Sequence, residues 1–227
     1  MADVKRLSRA EKARQTRIRM ITAARDLFLA RGWAATTMEQ IAQDSGVAVQ
    51  TVYYTFKTKG HLLAEILEVT AAGSDVPGPP IDRPWAREML SSPSAQRVLA
   101  LGVEHGTGIY ERVAHLWPLA AAAAADPTMA QYWQAVNAGR RAGQGAQVRR
   151  LQELGALRPG LETEKATDLV FLLAGHDPYR ALVLEAGWPV AEYKAWLYAT
   201  LIQQLLTRQP PDPAATSDLP FSAQIAP

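Results

Sequence analysis

The stretch Thr36–Leu62, TTMEQIAQDSGVAVQTVYYTFKTKGHL, decides the reading of the fold. Thr36 and Thr37 are each followed three residues later by an acid or amide, Glu39 or Gln40, which is the spacing of a capping box at a helix start. Ile41 and Ala42 then face a core, and Gly46 stops the helix because glycine takes the left-handed conformation of a helix end without steric cost. After a tight turn, Val49–Phe56 predicts a second short helix in which Val52 and Phe56, four apart, point inward. A further helix begins near Thr58 and shows Leu62, Leu63, Ile66, Leu67 and Val69 as its apolar side.

Two short helices around a glycine-containing turn lay the second helix in a DNA major groove while the first crosses the backbone. The outward residues of the second helix are Gln50, Thr51, Tyr53 and Tyr54. A merely solvated face would carry lysine and glutamate; this one carries an amide, a hydroxyl and two phenols. Glutamine pairs bidentately with adenine, Val49 suits a thymine methyl, and threonine and tyrosine hydroxyls donate to phosphate.

Working outward, a first helix over Thr16–Ala30 sets Ile18, Ile21, Ala24, Leu27 and Phe28 on one face, and Gly32 closes it. Almost every other readable segment repeats with the helical period, and none alternates as a half-buried strand does, so the fold class is all-α. Gly73, Pro77, Gly78, Pro79, Pro80 and Pro84 make Ala72–Pro84 a linker or long loop. Ser92 before Pro93 and Asp126 before Pro127 start two long helices, and Ala120–Ala125 reads as a helix end with small side chains. A turn at Arg158–Gly160 leads to a helix over Thr163–Gly175, and Asp177 before Pro178 restarts the chain. Past Gly187 and Pro189, the last helix, Val190–Arg208, is apolar on more than one face. The expected organisation is a basic flexible arm over 1–13, a helix-turn-helix domain over 14–72, a larger helical domain over 73–208 and a disordered tail over 209–227.

Nearly half of the chain is apolar, at 48% of 227 residues, enough for a real core. With no cysteine, disulfides, thiolate metal sites and a cysteine nucleophile are excluded, and a reducing cytoplasm is the expected setting. Met1–Arg19 is charged and polar, so no signal peptide is expected, and no run reaches the length of about 20 apolar residues that spans a bilayer. Residues 1–72 hold 11 Lys and Arg against 7 Asp and Glu, while the remainder holds 13 against 15. The basic end, with Lys5, Arg6, Arg9, Lys12, Arg14, Arg17 and Arg19, is the one suited to a polyanion.

Residues Arg14–Val69 resemble the DNA-binding domain of the tetracycline-repressor family, through Ala24–Gly32 (ARDLFLARG), Thr36–Ala42 (TTMEQIA) and Gly46–Leu62 (GVAVQTVYYTFKTKGHL). The resemblance implies Thr37 on a phosphate, Thr51 and Tyr53 on the backbone or adjoining base edges with Tyr54 close by, Val49 and Gln50 reading bases, and Lys59 as a clamp on the DNA backbone. Two residues depart from the family pattern. Ala48 replaces the usual hydroxyl cap, at a cost of about 1 kcal/mol, and Gln50 stands where a small residue is common.

The resemblance further implies a double-stranded, palindromic operator, repression, a homodimer and a small-molecule effector that lowers DNA affinity. Asp177–Leu206 resembles the helices of the family's dimer interface, and a last helix apolar on several faces needs a covering surface. The candidate effector contacts are Tyr110, Trp117, Trp133 and Phe171, with His105 or His176 as polar partners. No cofactor, metal or membrane partner is expected, nor is catalysis. The competing readings are a DNA-binding regulator without an effector and, more remotely, a metal-dependent hydrolase using His176 and Asp177 with His105 or His115.

Overall fold

The computed structural model describes residues 8–73, 82–207 and 213–224, which form helices joined by turns. Their one β feature is an isolated antiparallel bridge between Leu157 and Leu206. They divide into two compact units, the first made of residues 8–73 with Val113–Gln134, the second of 82–112, 135–207 and 213–224. Val113–Gln134, expected in the larger domain, folds with the first unit.

The first unit holds α1 (Arg9–Ala35), α2 (Met38–Ser45), α3 (Val49–Phe56) and α4 (Lys59–Ala72). It also holds α7 (Trp117–Ala122) and the opening turns of α8 (Pro127–Glu153). Ser8 caps α1 by accepting from the Glu11 amide at 3.2 Å, so the helix begins well before Thr16, and the arm expected over 1–13 is helical from Arg9. Good helix formers such as arginine, lysine, alanine and glutamate continue a helix without an apolar stripe, which is why periodicity missed this start. Lys5 and Arg6 lie outside the described residues. At Gly32 the backbone turns to φ 81°, breaking α1. The buried face of α1 is Met20, Ala24, Leu27 and Phe28; Ile18, expected on it, is exposed, as is Val69 of α4.

Around that face close Met38, Ile41 and Ala42 of α2, Val52 and Phe56 of α3, and Leu62, Leu63, Ile66 and Leu67 of α4. The same core takes Leu116, Leu119, Ala120, Ala123 and Met129. Asp126 starts α8 as expected, its Oδ1 accepting from the Thr128 amide at 2.8 Å.

In the second unit, α5 (Pro84–Ser91) begins at Pro84, where proline's fixed φ suits the first helical turn. Residues 74–81 of the expected loop lie outside the described residues. α6 (Ala95–Val113) starts three residues after Ser92, since Ser94 accepts from the Arg97 amide at 3.3 Å. α9 (Thr163–Leu173), the short α10 (His176–Tyr179), a π-helical stretch over Arg180–Glu185 and α11 (Val190–Leu205) complete the unit. Gly187, at φ 77°, makes the turn into α11.

The disorder expected over 209–227 does not hold for 213–224. Phe221 is fully buried and packs edge-on against Tyr198 of α11, with ring centroids 6.0 Å apart. Arg97 of α6 donates to Asp218 at 3.0 Å and to Glu88 at 2.7 Å, which holds the Asp218 carboxyl below its usual range. A proline-rich composition signals disorder only when no apolar anchor finds a groove, and Phe221 finds one on the preceding helix. Phe221→Ala should therefore lower the urea or thermal midpoint far more than Asp218→Asn, by about 3–5 kcal/mol against about 1 kcal/mol or less for the exposed carboxylate. Equal effects in equilibrium unfolding would mean that the ion pair, not the ring, holds this segment.

Candidate nucleic-acid interface and interior polar site

Thr37 caps α2 in a full capping box: the Gln40 amide donates to its Oγ1 at 3.3 Å and the Thr37 amide donates to Gln40 Oε1 at 3.0 Å. Thr36, the alternative cap, is instead buried and donates to Gly32 O at 2.9 Å. The exposed Thr37 hydroxyl also gives its hydrogen to the Glu39 carboxyl. Gly46 closes α2 in the left-handed conformation at φ 67°. Ala48 makes no side-chain cap, so α3 depends on packing.

Behind α3 sit Val52, with no exposure, and Phe56. In front, Gln50 is exposed, Tyr53 is 45% exposed and Tyr54 90%, while Val49 and Thr51 are half-buried. Tyr53 is not wholly free: its hydroxyl donates to Glu39 Oε1 of α2 at 3.3 Å. Burial first, and then the neighbouring carboxylate, push the Tyr53 hydroxyl above its usual range. Backbone and side-chain hydrogen bonds hold the Glu39 carboxyl below its usual range. The Tyr53 proton is therefore already given to Glu39 rather than left for a phosphate oxygen, whereas Tyr54 projects unhindered.

Lys59 stands elsewhere than a simple phosphate clamp would. Its ammonium donates to Trp33 O at 2.7 Å and Thr36 O at 3.0 Å, and lies 4.3 Å from the centroid of the Trp33 ring. Two of its three protons thus satisfy carbonyls at the broken end of α1, where helix-end carbonyls otherwise lack partners. Burial moves its pKa below the usual lysine value.

Sequence reasoning missed Lys57. It follows α3 directly, is exposed, and is the only non-glycine with positive φ, at 60°, among the described residues. A lysine held where glycine sits without strain carries a local backbone cost. Arg17, in contrast, is withdrawn from the basic run by a bidentate pair with Glu65 of α4, Nε to Oε1 being 2.6 Å.

The expected effector residues do not gather in one unit. Trp117 and Trp133 pack in the first unit, Trp133 edge-on to Tyr132 at 5.0 Å. In the second, the Tyr110 hydroxyl donates to Ala174 O at 3.1 Å, and burial raises its pKa. Arg140 donates to Phe171 O at 3.0 Å with its guanidinium 3.7 Å over the Phe171 ring, and reaches the Tyr110 hydroxyl at 3.5 Å. His105 stacks on Trp85 at 4.6 Å, and its burial lowers its pKa.

His176 Nδ1 lies 3.1 Å from Asp177 Oδ1, next in the chain. His115 belongs to the first unit, and the described residues contain no group of three or more His, Asp or Glu able to hold a metal ion. Nor is any described helix long and apolar enough to cross a membrane.

The polar heart of the second unit was not foreseen. Lys194 of α11, nearly buried, lies 3.1 Å from Glu104 and 3.2 Å from Glu111 of α6. Tyr179 and Tyr193 pack beside it, their ring centroids 5.3 Å apart and Tyr179 5.7 Å from Tyr110. A lysine amid tyrosine and tryptophan on the last helix is indistinguishable by sequence from one that reaches solvent along its stem.

For Lys59→Met, loss of the two carbonyl contacts should cost about 1–3 kcal/mol in denaturant unfolding, whereas Lys12→Met on exposed α1 should stay within about 0.5 kcal/mol. Equal, small effects would remove the structural role of Lys59.

Comparisons with known proteins place this geometry. A family model described as bacterial regulatory proteins, tetR family, matches residues 20–66. The uncharacterized HTH-type transcriptional regulator TtgW of Pseudomonas putida is 40% identical over 58 residues, 26% of this chain and 43% of that protein, so the match spans less than half of this relative. The solved complex of SmeT with triclosan, SmeT being the repressor of the Stenotrophomonas maltophilia multidrug efflux pump SmeDEF, superposes with a TM-score of 0.63 at 20% identity, covering 87% of this chain and 99% of that one. FadR of Bacillus subtilis in complex with stearoyl-CoA gives 0.62 at 16% identity, over 82% and 98%. The structural likenesses extend the shared fold over most of the chain, and the helix-turn-helix unit is the part that matches the tetR family of bacterial regulatory proteins.

Proposed function

We propose that the protein is a sequence-specific, DNA-binding transcriptional regulator of the cytoplasm, a repressor released from its operator by a small, largely apolar ligand. The observation that carries this reading is the outward face of α3. Gln50 and Tyr54 stand exposed there, with no carboxylate on the helix, on a rigid base of buried Val52 and Phe56. Gln50 and Val49 read base edges, Thr37, Thr51 and Tyr54 hold phosphates, and Lys57 adds charge at the end of the helix. Tyr53 contacts DNA through its ring and its acceptor oxygen. Lys59 acts as a positioning residue, fixing α4 and the α1–α2 corner so that Lys57 and α3 meet the groove at one angle. Release by ligand is supported by the likeness to SmeT with triclosan and to FadR with stearoyl-CoA.

A homodimer joined through its C-terminal helices would match a palindromic operator with half-sites about one helical turn apart. Part of the covering surface that α11 needs is supplied by the chain itself, at Phe221. Exposed apolar side chains of the second unit include Leu172 of α9, 65% exposed, Leu184 of the π-helical stretch and Val136 of α8.

The test is a salt titration of binding to DNA flanking the chain's own gene. Gln50→Ala and Tyr54→Ala should lose specific affinity, Gln50→Ala with relaxed sequence preference of about 1–3 kcal/mol at one position. Lys57→Gly should flatten the salt slope by about one unit while raising the thermal midpoint. Weak binding indifferent to sequence and to all three changes would sink the reading.

Leu172→Glu should convert a dimer to a monomer in sedimentation at micromolar concentration and weaken operator binding with it. A wild-type monomer under those conditions would remove the dimer.

A further inference from the structure

Four buried polar atoms in the second unit have no hydrogen-bond partner: Glu104 Oε2, Thr107 Oγ1, Gln144 Oε1 and Tyr193 Oη. Each such atom costs about 1–3 kcal/mol, so each calls for a physical reason. They also lie at one level of the bundle. Glu104, Thr107 and Glu111 recur at helical spacing along one stripe of α6, and Lys194 touches the first and last of them, so Thr107 lies between. Tyr193 precedes Lys194 on α11 and packs on Tyr179, which in turn packs on Tyr110 of α6. On α8, Gln147 donates to Val98 O of α6 and Arg140 reaches Tyr110. This antiparallel register sets Gln144, on the same stripe, opposite the segment of α6 that holds Thr107.

The chemistry of the orphaned atoms selects the ligand. Glu104 Oε2 and Gln144 Oε1 only accept, and the two hydroxyls either donate or accept. Lys194 stands between the two carboxylates and Arg112 lies close enough to Glu111 to act on it, yet no donor reaches Glu104 Oε2, and Arg140 is turned away onto the Phe171 ring and carbonyl. We propose that Glu104, Thr107, Gln144 and Tyr193, around the Lys194–Glu111 pair, form the polar end of an effector site. The ligand it takes is an organic cation, an ammonium with N–H groups on an apolar body. This rests on the effector-responsive reading above and names the chemical class that reading left open. The ammonium donates to Glu104 Oε2 and Tyr193 Oη; a carboxylate on the same skeleton would set its oxygens against the Glu104 acceptor and be excluded.

The experiment uses the full chain without DNA, titrated with a graded series of alkyl- and arylalkylammonium ions. Each ion is set beside the alcohol and the carboxylate of the same skeleton, and binding is read by calorimetry and thermal midpoint. At least one ammonium should bind at least about tenfold tighter than its alcohol, and Glu104→Gln should erase that difference. Tyr193→Phe keeps the ring packing and removes only the hydroxyl. It should weaken ammonium binding several-fold while raising the ligand-free midpoint by about 2–4 °C, the opposite of what loss of a structural hydroxyl does. No ammonium preferred over its alcohol, or a preference that survives Glu104→Gln, overturns the proposal, as does a Tyr193→Phe protein with a lowered midpoint and unchanged binding. The same titrations repeated on the DNA complex separate the two levels. Ammonium binding that leaves operator affinity intact supports this site and removes ligand-driven release, whereas release by the alcohols or carboxylates alone keeps that reading and removes the cation site.

Discussion

Where α1 breaks at Gly32, its last carbonyls lose their helical donors, and the Lys59 ammonium gathers two of them while lying on the face of Trp33. Thr36 takes a third by donating to Gly32 O. The first residue of α4 is thereby fixed to the corner between α1 and α2. α3 lies between α2 and α4 in the chain and has no cap of its own. An eight-residue helix is far below the length that is stable alone in water. It is held by its two connections and by Val52 and Phe56 in the core, so the orientation of Gln50 and Tyr54 inherits the rigidity of the Lys59 corner.

The charge distribution of this unit follows from the same economy. Arg17 is paired with Glu65 and Lys59 with backbone carbonyls, and both are internal fasteners rather than part of the cationic face. Lys57, held at positive φ, remains exposed at the end of α3, while Glu39 of α2 takes up the Tyr53 hydroxyl. A basic count along the sequence overstates the charge available to a polyanion, because ion pairs and carbonyls consume part of it.

In the second unit the hydrophobic effect builds the frame, and buried polarity interrupts it at one level. A lysine and two glutamates among tyrosines carry a desolvation cost that apolar residues of similar volume would avoid. Retaining unpartnered acceptors beside them is the pattern of a site preorganised for something that brings donors.

The sequence by itself determined the local elements. The Thr37–Gln40 capping box, the left-handed stop at Gly46, the inward Val52 and Phe56 and the Asp126 start of α8 all rest on interactions within a few residues, and local chemistry encodes them completely. Only the tertiary structure decided which partner each long or charged side chain meets. It set Met20 rather than Ile18 in the core, gave Lys59 to carbonyls, assigned Trp117 and Trp133 to the first unit and Tyr110 and Phe171 to the second, seated Phe221 on Tyr198, and brought Lys194 to Glu104 and Glu111. Those contacts join residues tens of positions apart, and flexible side chains carry no local signal of the partner that the packed chain will supply.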